Sequence, residues 1–146
     1  MKRFVFTLQS LLSVKFALEK EQKAELAACD ALLRRLENEL NTLSAAFESM
    51  RLEYKERARQ GMPVAKANDY SNALEHTRTL IAAKRDELAA AEMKRLQVRL
   101  KLIEIMREIK IFEKLRERQY EEYQKEVRAE EDKLMGDILS YRVTTS

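Results

Sequence analysis

The chain has little of what shapes most globular domains. Of its 146 residues, only two are glycine, one is proline, one is cysteine and none is tryptophan. A single cysteine cannot form an intramolecular disulfide bond, so we predict that Cys29 is a small buried hydrophobe. Alternating apolar runs bounded by glycine or asparagine are also missing, which argues against β-strands.

The sequence also lacks the motifs of an active site. His76 is the only histidine, and no His/Cys cluster has the spacing of a zinc site. There is no glycine-rich phosphate loop and no nucleophile elbow. Neighbouring carboxylates such as Glu121 and Glu122 lie on a predicted exposed helix, where no pocket would shift their pKa values. We therefore predict no catalytic, cofactor-binding or metal-binding residue and no small-molecule substrate.

Long apolar runs and segregated charges are absent as well. No uncharged run approaches the ~18 residues that a membrane-spanning helix needs. The apolar start Phe4–Phe6 is interrupted by Thr7 and lacks a cleavage site, so we expect a soluble cytoplasmic protein without a signal peptide. The net charge is +3, but lysine and arginine alternate with glutamate. Because a phosphate-binding surface needs its cations on one face, we predict no nucleic-acid partner.

What the sequence does contain is a long apolar repeat with one break. Gln60-Gly61-Met62-Pro63 holds the only proline, and glycine suits the end of one helix as proline suits the start of the next. Before this break the apolar residues recur at alternating spacings of four and three, which is typical of a coiled-coil seam. The residues of this seam are Cys29, Leu33, Leu36, Leu40, Leu43, Phe47, Met50 and Tyr54.

A second seam follows the break and is longer than the first. It comprises Tyr70, Leu74, Ile81, Leu88, Ala91, Val98, Leu102, Ile105, Ile109 and Phe112. Because a short connection makes neighbouring helices antiparallel, we predict an all-α fold, a long two-helix antiparallel coiled-coil hairpin with a longer, overhanging second helix. The predicted bounds are about 6–59 for helix one, 60–69 for the turn and 69–141 for helix two, in a single domain over residues 1–146. Facing residues should have numbers that add to roughly 124–129.

Two stretches resemble a known family. Phe6-x-Leu8-Gln9-x-Leu11-Leu12, followed by a charged helix, is similar to the amino end of FliJ proteins. The stretch from Phe112-Glu113-Lys114-Leu115 to Tyr123, continuing to Glu130-Glu131-Asp132-Lys133, is similar to their carboxyl-terminal part. The chain length and the central break match too, whereas Met135-Gly136-Asp137-Ile138 departs from the family's usual acidic pair.

This resemblance implies a non-enzymatic component of the bacterial flagellar type III export apparatus. Such proteins form a coiled-coil stalk that inserts into the hexameric export ATPase ring and stimulates it. The other implied partners are the cytoplasmic domain of the export gate membrane protein and the export chaperones, at the inner face of the cell membrane. The implied ATPase-ring contacts are Phe4, Leu8, Leu11, Leu12, Arg116, Arg118, Tyr123 and Val127. The implied export-gate contacts are Leu43, Met50, Tyr70 and Leu80.

Two other functions remain open from the residues alone. A generic cytoplasmic coiled-coil adaptor or holdase chaperone would grip clients with apolar tips, but its helix ends should align. A nucleic-acid-binding arm would need a stripe of lysine and arginine, which the mixed charges do not supply. Several candidate contacts, including Leu12 and Leu43, also suit the buried seam of the hairpin itself.

Overall fold

The computed structural model describes residues 2–145, and these form two helices. Helix α1 is Gln9–Gln60, with 52 residues, and helix α2 is Val64–Thr145, with 82 residues. No strand occurs among the described residues. The all-α helical hairpin and its longer second helix are therefore as predicted.

The connection between the helices is a tight turn at Gly61. The Gly61 amide donates to the carbonyl of Ala58, and Gly61 has a φ of 93°, in the left-handed region that favours glycine. Arg57 and Arg59 lie in the last turn of α1, where their positive charges interact favourably with the helix dipole. Pro63 precedes the first residue of α2, and its carbonyl accepts the first helical hydrogen bond, from Ala67.

Helix α2 begins five residues before the predicted Asp69. Asn68, Asp69, Ser71 and Asn72 have low helix propensity, but they lie within the helix rather than in a loop. Tertiary packing explains the difference, because the neighbouring Tyr70 ring packs against a residue of α1.

The other helix ends also differ from the prediction. Helix α1 begins at Gln9 rather than near residue 6, and Leu8 lies at the capping position, since the Leu8 carbonyl accepts from the Leu12 amide. Helix α2 continues through Gly136 to Thr145 instead of ending near Tyr141. The hydroxyl of Thr145 donates to the carbonyl of Tyr141 at 2.8 Å, so part of the last turn's acceptor capacity is satisfied by a side chain.

The chain divides into two compact units, each built from parts of both helices. Unit 1 comprises residues 1–21 and 102–146, and unit 2 comprises residues 22–101. The single coiled coil predicted over residues 1–146 stays a prediction.

Unit 2 contains the predicted heptad seam. Cys29, Leu36, Ile81, Ala91 and Val98 are its buried apolar side chains, and the remaining predicted seam residues of the unit are half-buried. Burial of Cys29 confirms the prediction that it acts as a small hydrophobe. The seam also holds Thr77, which is buried and donates its hydroxyl hydrogen to the carbonyl of Ala73 at 2.9 Å.

Unit 1 has a core of Phe6, Leu12 and Ile109. Phe4 and Leu8 pack against this core from the amino-terminal side, as do Ile105, Phe112 and Leu115 from α2. Phe6 was not predicted as a core residue, because helical periodicity selects Phe4 and Leu8. Residues 2–6 lie outside the helix, and in extended backbone residues two apart share a side, so Phe4 and Phe6 both reach the core.

Polar pairs set the register in each unit. In unit 1 Lys15 forms an ion pair with Glu108, and in unit 2 Glu39 pairs with Lys84 at 2.7 Å. Their residue numbers add to 123 in both cases, just below the predicted register of roughly 124–129. Arg95 lies in the second seam between Ala91 and Val98, and it donates to the carboxylate of Asp30 on α1.

The two glycines should respond oppositely to alanine. Gly61→Ala places a Cβ in open space but forces a left-handed conformation, which should lower the free energy of unfolding by about 1 kcal/mol. Gly136→Ala also places its Cβ in open space, but within a helix. The free energy of unfolding should therefore stay unchanged or rise by up to about 1 kcal/mol. Urea denaturation followed by circular dichroism measures both. Equal effects of the two substitutions would contradict the strain assigned to Gly61.

The neighbours Leu11 and Leu12 provide a matched test of the core in unit 1. Leu12 is 1% exposed and Leu11 is 50% exposed. Leu12→Ala should lower the free energy of unfolding by about 3 kcal/mol, because it leaves a cavity in the core. Leu11→Ala should cost less than about 1 kcal/mol. Similar losses for both variants, measured by urea denaturation, would contradict this core assignment.

Candidate docking surfaces

Three aromatic rings gather where the amino-terminal segment meets α2 in unit 1. The Phe4 ring lies edge-on to Tyr120, with 5.1 Å between centroids, and 5.5 Å from the Tyr123 ring. Tyr120 and Tyr123 stack at 6.2 Å, because they are three residues apart on one helix. The Tyr123 hydroxyl donates to the carbonyl of Lys2 at 2.7 Å. The amino-terminal segment is thus held against α2 by both ring packing and a hydrogen bond.

A shallow groove of about 420 Å³ borders this aromatic cluster. Its lining residues are Phe4, Glu113, Arg116, Glu117 and Tyr120. Charged side chains alternate in sign around an aromatic floor, so the groove suits a peptide segment with an apolar side chain more than a simple anion.

The predicted ATPase-ring residues fall into three groups by burial. Leu12 is buried in the core. Leu8, Phe4, Tyr123 and Val127 are half-buried, and Leu11, Arg116 and Arg118 are exposed. Only the second and third groups present surface to a partner in this structure. The ring contacts themselves stay predictions.

Helix α2 continues beyond the residues that pack against the amino-terminal segment. Val127 is the last half-buried position, and every described residue from 128 onward is exposed. We call residues 128–145 the tail. Its large exposed apolar side chains are Leu134, Met135, Ile138, Leu139, Tyr141 and Val143.

In unit 2, two of the predicted export-gate residues line one groove. Leu43 of α1 and Leu80 of α2 both border an open groove of about 580 Å³, together with Ala83. Its polar rim comprises Arg35, Asn38, Glu39, Thr42, Lys84 and Glu87. An apolar floor with a mixed polar rim is the composition of a protein-binding groove.

The other two predicted gate residues lie closer to the turn. Met50 and Tyr70 border a second groove of unit 2. The Tyr70 hydroxyl donates to Glu53 at 3.0 Å, and Arg57 lies 5.9 Å from the Tyr70 ring centroid. Burial and this hydrogen bond raise the pKa of Tyr70, so its phenol is neutral at physiological pH. Tyr70 is therefore fixed by polar partners as well as by its contact with Tyr54.

Sequence reasoning missed several residues that shape these surfaces. Tyr120 completes the aromatic cluster, Glu53 and Arg57 fix Tyr70, and Lys84 and Glu39 pair at the edge of the larger groove. The signal that could have found the charged residues was their register, because Lys84 lies at a seam position opposite Glu39. Tyr120 had the same signal, since the numbers of Phe4 and Tyr120 add to 124, within the predicted register.

The described residues hold no cluster of metal-ligating side chains. Between residues 2 and 145, no helix is long and apolar enough to cross a lipid bilayer.

A helical hairpin with apolar side chains exposed on both helices is the architecture of a coiled-coil protein-interaction component. The family model described as Flagellar FliJ protein matches residues 4–146, so the chain belongs to the FliJ family. FliJ proteins are non-enzymatic and act in flagellar export and biogenesis, and the chain is accordingly a flagellar export component. Searches of curated proteins and of solved structures gave no match.

The ion pair at the edge of the larger groove predicts a pH dependence. The hydrogen bond from Lys84 lowers the pKa of Glu39, and the same bond raises the pKa of Lys84. A lowered carboxyl pKa contributes stability above the ordinary value of 4.5, and that contribution is lost as the pH falls through the folded-state value. The raised pKa of Lys84 contributes stability below 10.5, which is lost as the pH rises through its folded-state value.

Glu39→Gln should therefore lower the thermal midpoint most near pH 7. Its midpoint should converge with that of the wild type as the pH falls below the lowered pKa of Glu39, because the carboxyl is then protonated in both the folded and the unfolded state. The control is Glu92→Gln, since Glu92 has no ion-pair partner in the described part of the chain. Thermal denaturation of the three proteins from pH 3 to pH 8 measures this, and a pH-independent difference for Glu39→Gln would refute it.

Proposed function

We propose that this protein is the stalk of the flagellar export ATPase, that it inserts into the hexameric ring, and that it stimulates ATP hydrolysis. In the same proposal it couples the ring to the export gate and the export chaperones, at the cytoplasmic face of the membrane. The observation that carries the proposal is the exposed apolar tail of α2, in a chain that belongs to the FliJ family.

The tail supports a partner because solvent exposure of so many large apolar side chains is unfavourable. Leu134, Ile138 and Tyr141 recur at spacings of four and three, so they lie on one face of the helix. No described residue of α1 or of the amino-terminal segment covers this face. A ring whose central channel is lined by several subunits would enclose it on all sides.

The aromatic end of unit 1 supplies further candidate ring contacts. Leu11, Arg116 and Arg118 are the exposed members, and Phe4, Leu8, Tyr123 and Val127 are the half-buried ones. Leu12 contributes indirectly, since it lies in the core that holds α1 against α2.

Unit 2 supplies the candidate contacts with the export gate. Leu43 and Leu80 offer the apolar floor of one groove, and Met50 and Tyr70 border the other. The charged rims of both grooves would bind the polar edge of a partner and so set its orientation.

The proposed mechanism is unequal contact between one stalk and the subunits of a ring. A single asymmetric helix pair cannot make the same contacts with every subunit of a symmetric ring. The subunits that bind it best are stabilised in one conformation, and we propose that this conformation is the closed, ATP-competent one. Hydrolysis then changes which subunits bind best, and this change is transmitted to the gate.

The test is steady-state ATP hydrolysis by the flagellar export ATPase with increasing amounts of this protein. Stimulation should saturate near about one copy per hexamer, because one ring has one central axis. A chain truncated after Val127 lacks the tail but keeps Phe4, Tyr120 and Tyr123 together, so it should fold and stimulate at least about tenfold less. A loss of that size corresponds to about 1.4 kcal/mol of differential binding.

Two controls make the result decisive. Circular dichroism of the truncated chain should show an unchanged thermal midpoint, since the residues removed are all exposed. Leu52→Glu in the full chain alters an exposed apolar residue of unit 2 and should stimulate as the wild type does. Full stimulation by the truncated chain would exclude the tail as the ring contact. No stimulation by the wild type would favour a generic coiled-coil adaptor.

A further inference from the structure

Helix α2 carries a second apolar face in unit 2, directed away from α1. Met93, Leu96 and Leu100 are 59%, 45% and 56% exposed. They recur at spacings of three and four, and Ala89 continues the row one turn earlier. Ala91 and Val98, which are buried in the unit 2 seam, lie on the opposite side of the same helix. We call Ala89, Met93, Leu96 and Leu100 the outer stripe.

The outer stripe has the pattern of a coiled-coil seam without a partner helix. A heptad face needs two apolar positions every seven residues, and the outer stripe supplies them over two heptads. No described residue of α1 packs on it, because α1 packs against the other side of α2 in this unit. Scattered exposed leucines need no explanation, but a row at seam spacing indicates a helix-binding surface.

The charges beside the outer stripe change sign along its length. Glu92 and Arg99 are seven residues apart and therefore lie on the same flank of the helix. Both are exposed, and neither forms an ion pair within residues 2–145. A partner helix with charge of only one sign would meet one like charge on this flank.

We propose that the outer stripe binds a second copy of this chain, with the two α2 helices antiparallel. A twofold axis between Met93 and Leu96 sets Met93 against Leu96 of the second copy. The same arrangement sets Leu100 against Ala89 of the second copy, so that a large side chain meets a small one at each end of the outer stripe. Glu92 directly precedes Met93, and Arg99 directly precedes Leu100. In antiparallel coiled coils these preceding positions of the two helices face each other, so Glu92 of each copy faces Arg99 of the other.

A parallel pair fits these residues less well. In a parallel pair, the flank residue that precedes a seam residue in one helix faces the residue five positions further along in the other helix. Glu92 would then face the neutral Gln97 of the second copy, and only Arg99 would gain an ion pair, with Glu104, so the charge of Glu92 stays unpaired. The antiparallel arrangement alone pairs Glu92 and Arg99 with each other, twice, by symmetry.

The size of the outer stripe predicts weak, reversible association. Three large apolar side chains from each copy bury less than the roughly 1,200 Å² that stable specific interfaces start from. A dissociation constant of about 10–300 μM is therefore expected, as in transient complexes. Such association would respond to local crowding of the protein, independently of any contact made by the tail.

Sedimentation equilibrium of the full chain from about 5 to 500 μM tests the proposal. The wild type should shift from monomer toward dimer with concentration. Leu96→Glu should stay monomeric at all these concentrations, since dimerisation would bury two negative charges, one from each copy, near the twofold axis. Leu52→Glu is the matched control, because Leu52 is 51% exposed in the same unit but lies off the stripe, and it should dimerise as the wild type does.

Charge exchange tests the orientation. Glu92→Arg and Arg99→Glu should each weaken dimerisation about fivefold or more, because each sets like charges opposite one another. The double variant E92R/R99E should recover the wild-type constant to within about twofold, since both charges are exchanged in both copies. Circular dichroism checks that all variants remain helical.

The remaining outcomes each overturn the proposal. A wild type that is monomeric at about 500 μM excludes the second copy as occupant. Equal dimerisation of Leu96→Glu and Leu52→Glu places the contact elsewhere. The antiparallel pairing is excluded if the single charge variants dimerise as the wild type does. It is also excluded if the double variant dimerises more weakly than both single variants.

Discussion

Two packed helices bury one face of each helix, and this limit governs the rest of the structure. Each helix can hide only its seam, so an apolar side chain anywhere else is exposed unless another molecule covers it. In the described part of the chain, the tail and the outer stripe are such exposed apolar faces. The contacts proposed for the chain therefore lie on surfaces that the seam leaves uncovered.

The seam was predictable because its signal is periodic and local. Spacings of four and three place Leu36, Ile81 and Val98 on buried faces whatever their neighbours are. The start of α2 was less predictable, since the low helix propensity of Asn68 and Ser71 competes with packing of the Tyr70 ring against Tyr54. That contact joins residues distant in sequence, and propensity carries no information about it. Phe6 was missed for a related reason, because it enters the core from non-helical backbone.

The candidate surfaces were predictable only in part. Leu11 and Leu12 are identical in type and adjacent in sequence, yet one is exposed and the other is the most buried side chain of its unit. The family motif contains both, so a motif alone cannot separate a residue that packs the hairpin from one that meets a partner. Helical geometry does separate them, because a step of one residue turns the side chain by about 100°. Because Leu12 is fixed in the core, it also fixes the position of the exposed Leu11.

Polar residues within the seam make these surfaces reproducible. An apolar seam alone would accept a shift of seven residues with little change in packing, whereas such a shift in either direction would leave Lys15 and Lys84 without a carboxylate partner. Isolated surface ion pairs add little stability, but pairs that a shifted register loses select one alignment. The register in turn decides which groove Leu43 and Leu80 share. It also decides that Phe4 meets Tyr120 and Tyr123 and that the tail begins after Val127. The charged pairs thus shape the candidate binding surfaces by fixing the alignment of the two helices, even where their own contribution to stability is small.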